Sequence, residues 1–275
     1  MNDSAPALDP VVPRRGKWIA HLAILGAYPL VLGAIAYLRR GAGTPALSGH
    51  ALGAMLVSAW ELASFALVFV LACLASRASR DQLRLRFRPR RWAVPLGLAY
   101  SVGIRLGVGA VLLAVGVALA VTGIVKPEQL SSYLFSNRPK VEAIVDISAM
   151  RDDPAYFWLM VTVVSFLVGG LREELWRGGV LAGFRALWPR QFGSKLGQLG
   201  AVAIAAVIFG LGHAAQGPVA MTLTGVLGLM LGAIIVLHDS VWPAVIAHGA
   251  FDATSLAILP WAMEKLHDLQ KVLAG

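Results

Sequence analysis

A succession of apolar runs divides the chain, near residues 18–38, 51–75, 93–122, 155–185, 198–215, 218–237 and 241–260. Each is close to or above the roughly 20 residues that a helix needs to cross about 30 Å of hydrocarbon. Inside hydrocarbon no water is available to backbone N–H and C=O groups, so runs of this kind must satisfy those groups within helices. The expected fold is therefore all-α, a polytopic transmembrane helical bundle of about seven spans, six to eight being the range that span lengths allow. Composition agrees. Hydrophobic residues make up 57% and charged residues 14%, where a soluble domain carries about 25% charge, and the mean hydropathy is +0.70. Pro29, Pro95 and the Gly-rich "LGVGAVLLAVGVALAVTG" would be awkward in a soluble helix. In lipid the surrounding bundle re-satisfies the freed backbone groups, and small residues let helices approach closely.

The formal net charge is +9, gathered in short basic clusters between the apolar runs. The densest is "SRASRDQLRLRFRPRRW", residues 76–92, in which seven arginines face the single Asp81. By the positive-inside rule this loop is expected in the cytoplasm, together with the N-terminus (Arg14, Arg15, Lys17) and the segment carrying Arg185, Arg190 and Lys195. Such clusters read as a topology signal facing lipid headgroups, so the expected partner is membrane lipid and no nucleic-acid partner is expected. Arg- and Ala-rich composition with short loops points to a bacterial inner membrane. The connection 123–154 is expected outside, with a short surface helix or a lid. The sole cysteine, Cys73, excludes an intramolecular disulfide framework and a Cys-rich zinc site. "MNDSAPALDPVVPRRGKW" is polar, and the apolar run after it is longer than a signal core, so a first span is expected rather than a cleavable leader. The organisation expected is a flexible segment 1–15, a single membrane domain 16–260 whose part 155–260 carries the closely spaced intramembrane polar residues, and a C-terminal tail 261–275.

Charge within the spans is costly, about 2.5–3.5 kcal/mol per group at the bilayer centre even on a lenient scale, and usually faces a bundle interior or a cavity. Glu61 and Arg105 are expected to neutralise one another or to snorkel to the interface. "FLVGGLREELWRGGVL", residues 166–181, holds four charges, Arg172, Glu173, Glu174 and Arg177. Glu173 and Arg177 stand at i and i+4, the favoured order for an ion pair, while Glu174 points about 100° away toward another partner. Two carboxylates in two environments can hold their proton affinities apart. In "IFGLGHAAQG" Phe209 lies one turn from His213 and can fix its ring plane. In "WPAVIAHGAFDAT" His248 and Asp252 share a helical face. They could bond directly, ligate a metal together, or present two donors to an oxyanion. Pro243 suits the first turn of that helix. His238, at a span end, reads as interfacial. Three helices each carrying one polar i,i+4 element are most economically explained by one buried site.

In order and spacing these elements resemble the CPBP family of intramembrane endopeptidases, the CAAX-protease and bacteriocin-processing group also called Abi. Its pattern is Glu-Glu-x-x-x-Arg, then Phe-x-x-x-His, then His-x-x-x-Asn or Asp, on separate membrane helices. The resemblance covers about residues 166–255. "EELWR" has two residues between the Glu pair and Arg177 where the family has three, so either the Glu pair or the Arg is the anchor, and Glu173 belongs to the motif both ways. The resemblance implies hydrolysis of a peptide bond in a membrane-associated, prenyl- or leader-peptide-like substrate, without a covalent intermediate. Glu173 or Glu174 would be the general base, His213 its partner on the water, and Arg177 the residue that orients the glutamate. His248 and Asp252 would serve the oxyanion, Asp252 chiefly by orienting His248, with Phe209 in support. No cofactor is expected as first choice; zinc, held by Glu173, His213, His248 and Asp252, is the variant. A catalytically inactive scaffold of the same fold and a transporter or proton relay are the alternatives. Oligomeric state is not legible.

Overall fold

Several helix starts in the computed structural model fall where the sequence supplies a capping side chain. The structure describes residues 15–39, 45–47, 49–124, 126, 129, 132–133 and 136–274; the segment expected to be flexible at 1–15 lies almost wholly outside them. Helix α1 runs Arg15–Arg39. Helix α2 (Ala51–Ser76) is capped by the His50 ring, which accepts from Gly53 N. Helix α3 spans Ala93–Val121. The short α4 (Ile147–Asp152) starts at Asp146, whose carboxylate accepts from Ser148 N and Ala149 N. Asp153 caps α5 (Pro154–Leu187) in the same way, with Pro154 at its first position. After the single turn α6 (Pro189–Phe192), Ser194 caps α7 (Lys195–Gly212). Gly217, at φ +100°, admits the turn into α8 (Pro218–His238), and Pro243 lies in the first turn of α9 (Trp242–Ala274), as expected.

Six helices, α1, α2, α3, α5, α7 and α8, are long and apolar enough to cross a membrane. This is an integral membrane protein with an all-α bundle; among the described residues there is no strand, only an isolated bridge between Leu47 and Val145. The expected run at 241–260 is helical but is not among the six. His248 and Asp252 dilute its apolar character, and it continues through Pro260 to Ala274, across the boundary expected at 261. Large apolar side chains cover the outside of the bundle: Leu56 and Leu67 on α2 and Leu106 and Leu113 on α3 are all more than half exposed. An aqueous surface rarely carries so much contiguous apolar area.

The helix ends sort into two layers. At one end Trp18, Leu83 and Ala182 pack together, joining the start of α1, the arginine loop and the end of α5. At the other, Tyr156 is fully buried and donates its hydroxyl to Leu47 O at 2.5 Å, while Leu47, Val145, Met150 and Met160 close around it. The expected short helix in 123–154 is α4.

Proline and glycine positions fix how α1 sits on the bundle. Pro29 has no N–H to give to Leu25 O, and the Trp176 indole of α5 donates to that carbonyl at 2.7 Å. His21, fully buried, bridges α2 through Ala72 O (2.9 Å) and α5 through Gly179 O (3.0 Å). A Cβ on Gly33 would come within 2.9 Å of Gly212 Cα, so α1 and the end of α7 touch backbone to backbone.

Residues Met160–Arg172 of α5 are wound as a π-helix, with Ser165 Oγ donating to Met160 O at 2.8 Å. Such windings are rare, mostly single-turn, and frequent at functional sites. Here the winding coincides with a seam against α9. A Cβ on Gly170 would lie 2.7 Å from Val245 O, and one on Gly249 would enter the Phe166 ring. Gly249→Val should therefore lower stability in detergent by roughly 1–3 kcal/mol, as overpacking does. Gly26→Ala, where nothing lies within 4 Å, should leave the thermal midpoint unchanged or raise it, since alanine is the better helix former. Equal midpoints for both variants would refute the close seam.

Candidate functional site

At the end of the π segment the chain returns to α-helical winding at Glu173, and the four charges of "REELWR" diverge. Arg172 turns toward α2, bonding Glu61 Oε2 at 2.7 Å and Glu173 Oε1 at 2.9 Å. Arg177 pairs with Glu174, three residues back, and both side chains have no solvent exposure. The expected Glu173–Arg177 pair is thus replaced by Glu174–Arg177. Spacings of three and four are both neighbours on a helix, and the neighbouring helices decide between them. The Arg177 guanidinium lies 4.8 Å from the Phe209 ring centroid of α7, over its face, and against Gly232 of α8, where a Cβ would sit 3.3 Å from Arg177 Cδ. Only Glu174 shares that buried face.

His248 completes the buried group. Its Nδ1–H donates to Glu174 Oε1 at 2.9 Å, and the ring is 3% exposed. That bond leaves Nε2 facing two other carboxylates, Asp252 Oδ2 at 3.5 Å and Glu173 Oε2 at 3.7 Å. The His248 ring gives its hydrogen bond to Glu174, with Asp252 standing at the opposite nitrogen. Asp252 lies against Gly169 of the π segment, where a Cβ would collide with its Oδ2.

Phe209 stands between the two histidines. The His213 ring meets it edge-on at 4.7 Å between centroids, and the His248 ring at 6.4 Å and 83°. His213 is the first residue past α7, partly exposed, with Nδ1–H donating to Phe209 O at 2.8 Å, so its Nε2 is free of that bond. Helix α7 ends at Gly212, and the short 3₁₀ turn Ala214–Gln216 and Gly217-Pro218 separate it from α8, so His213 sits at the end of α7 beside the ring that His248 also meets.

All seven residues singled out from sequence, Glu173, Glu174, Arg177, Phe209, His213, His248 and Asp252, thus form one contiguous cluster. Arg172 and Glu61 join it. Glu61 carried the available signal, a carboxylate inside an apolar run, but its partner lies on another helix 111 positions away. Arg105 is not that partner. It clips α3 to α9 beside Asp252, bonding Ser101 Oγ at 2.7 Å and Thr254, with its guanidinium 4.3 Å from the Phe251 centroid. His238 bonds Tyr100 at 2.8 Å, away from the cluster.

Arg177 Nε and Nη2 and Glu174 Oε2 are buried with no hydrogen-bond partner among the described residues. As for zinc, no three His, Cys, Asp or Glu side chains among the described residues gather in an arrangement that could hold a metal ion.

Residues 154–254 match the family model of type II CAAX prenyl endopeptidase Rce1-like, a protease family of the CPBP group. No curated protein and no solved structure matches the chain. The matched stretch starts at α5 and ends two residues past Asp252, so it contains the whole cluster except Glu61.

Removing one member of a buried ion pair strands the other charge. Glu174→Ala should cost about 3–5 kcal/mol, with Glu174→Leu/Arg177→Met recovering much of it. Glu173→Ala, at a side chain 14% exposed, should cost markedly less. Unfolding midpoints in detergent check this, and equal losses from the two glutamates would overturn the assignment of the buried partner.

Proposed function

From the match of residues 154–254 to the Rce1-like endopeptidase family model, we infer that this protein hydrolyses a peptide bond of a membrane-associated substrate, prenylated at a C-terminal Cys or carrying a leader peptide, with Glu173 as general base. The observation that carries the reading is the division of labour between adjacent carboxylates. Glu174 is fully buried and engaged by Arg177 and His248. Glu173 keeps Oε2 free beside His248 Nε2, at 3.7 Å. Two carboxylates in such unlike settings are suited to different tasks. The Glu pair is then the anchor of the shortened motif, and Arg177 reaches back three residues instead of four.

In this mechanism Glu173 takes a proton from water as the water attacks the scissile carbonyl, and passes it to the leaving amine. His213 Nε2 holds the same water. His248, its ring plane set by the Nδ1–H bond to Glu174, acts as the imidazolium and donates a hydrogen bond from Nε2–H to the developing oxyanion, with Asp252 beside it. Arg177 positions Glu174, and Arg172 and Glu61 position Glu173 from the α2 side. Phe209 keeps the two imidazoles apart and excludes water behind them. The catalytic core is 155–260 within one membrane domain, 16–260, in a bacterial inner membrane with the N-terminus in the cytoplasm. Support for that orientation comes from the arginines of 76–92, Arg185 and Arg190, which share one end of the bundle with the start of α1.

Purified protein in liposomes should cleave a quenched, farnesylated Cys-terminal peptide or a leader-peptide reporter. Glu173→Gln should lower the rate by about 10²–10⁴-fold, the usual contribution of a general base. His213→Ala should also abolish most activity. Cleavage by Glu173→Gln at the rate of the unaltered protein would sink the assignment. Metal analysis of the same preparation tests the zinc variant. Cysteine labelling of Gln82→Cys in intact cells tests orientation, with protection from a membrane-impermeant reagent as the expected outcome.

A further inference from the structure

The arginines of the loop after α2 do more than line the membrane surface. Arg84, Arg86 and Arg88 of this loop and Arg185 of α5 surround a cavity of about 450 Å³, with Gln198 of α7 and Asp239 after α8 on its far wall. Four guanidinium groups there face two carboxylates, and both carboxylates are occupied. Asp81 pairs with Arg86, and Asp239 with Arg84 at 3.0 Å. Arg84 also bonds Gln198. It is only 3% exposed, yet its Nη1 is buried without a hydrogen-bond partner among the described residues. Burial, and then the charge of Arg185, lower its affinity for the proton to about 10. Arg84 and Asp239 both hold left-handed backbone, φ +57° and +49°, costs that surrounding structure sustains at functional positions. A buried cation with an open donor, beside a second cation, is the setting that an anion relieves.

A second, apolar cavity of about 640 Å³ is lined by Tyr100 and Ile104 of α3, Leu199 of α7, and Met230, Ile234 and Leu237 of α8. Lys195 lines the apolar cavity, and its ammonium lies 3.2 Å from Leu237 O and 3.8 Å from Asp239 of the arginine cavity. Gln198 and Leu199, adjacent on α7, line one cavity each. Lys195 thus ties the apolar cavity to an aspartate of the arginine cavity, setting positive charge beside apolar lining.

We propose that these two cavities form one binding site for an anionic phospholipid, its phosphate held by Arg84, Arg185 and Arg88 and one acyl chain lying in the groove between α3, α7 and α8. The shared chemistry is a phosphate anion, and the groove selects a lipid over the free ion. The site is separate from the glutamate–histidine cluster, so it stands or falls independently of the protease reading.

The test is native mass spectrometry of the full chain in detergent micelles, titrated with phosphatidylglycerol, with phosphatidylcholine of the same chains, or with inorganic phosphate. Phosphatidylglycerol should be retained in preference to phosphatidylcholine. Arg185→Gln and Arg88→Gln should each weaken its retention about fivefold, the effect of one arginine near an anionic headgroup. Leu199→Trp, which fills the groove, should weaken lipid retention without altering phosphate binding. Arg88 is exposed, so Arg88→Gln keeps the test decisive should Arg185→Gln fail to fold. Equal retention of the two lipids, or indifference to Arg88→Gln, overturns the site. Retention of inorganic phosphate with no effect of Leu199→Trp on lipid overturns the lipid assignment in favour of a free-phosphate site.

Discussion

A guanidinium with no solvent exposure, inside a helical bundle in lipid, is the constraint around which the second half of the chain is arranged. Desolvating Arg177 costs several kcal/mol unless close partners compensate. Glu174 supplies the opposite charge, the Phe209 face supplies a cation–π contact at 4.8 Å, and Gly232 leaves the volume. Each compensation has a consequence. Engaging Glu174 leaves Glu173 as the more exposed carboxylate. Placing Phe209 against Arg177 sets the ring that both histidines touch. Bonding His248 Nδ1 to the same Glu174 oxygen aims Nε2 at Glu173 and Asp252.

That arrangement requires α5 and α9 to approach closely, which the π-wound segment and its glycines permit. Gly169 makes room for the Asp252 carboxylate, Gly170 for the α9 backbone, and Gly249 for Phe166. Without hydrophobic drive between helices in lipid, close van der Waals contact and interhelical bonding must hold the bundle. The Trp176 bond to the carbonyl freed by Pro29 and the two bonds of His21 do the same for α1. A proline that would break a soluble helix here becomes a docking point.

The two ends of the bundle carry different chemistry. One end is a small apolar cluster around Tyr156, with acidic caps at Asp146 and Asp153. The other concentrates arginines around a cavity. The charge asymmetry read as topology and the Arg84 cavity are the same residues seen at two scales: counted along the chain they bias orientation, and folded together they create a local positive field.

Apolar run length by itself determined an all-α membrane bundle, because backbone groups in hydrocarbon leave no other solution for a single chain of helical runs. Motif spacing likewise determined which side chains could converge: Phe209 and His213, or His248 and Asp252, lie one turn apart whatever surrounds them. The pairing of charges was not legible. Glu173–Arg177 and Glu174–Arg177 are both allowed on an isolated helix, and only Phe209 and Gly232, from two other helices, select the second. Glu61 and Arg105 looked like partners because both were charges in the first half, yet each found its partner on a helix far along the chain. The π winding left no mark at the 3.6-residue period, since glycines and apolar residues fit either winding and the contacts with α9 settle it. Helical periodicity constrains neighbours on one helix, whereas ion pairing in lipid is decided by what the other helices bury against each charge.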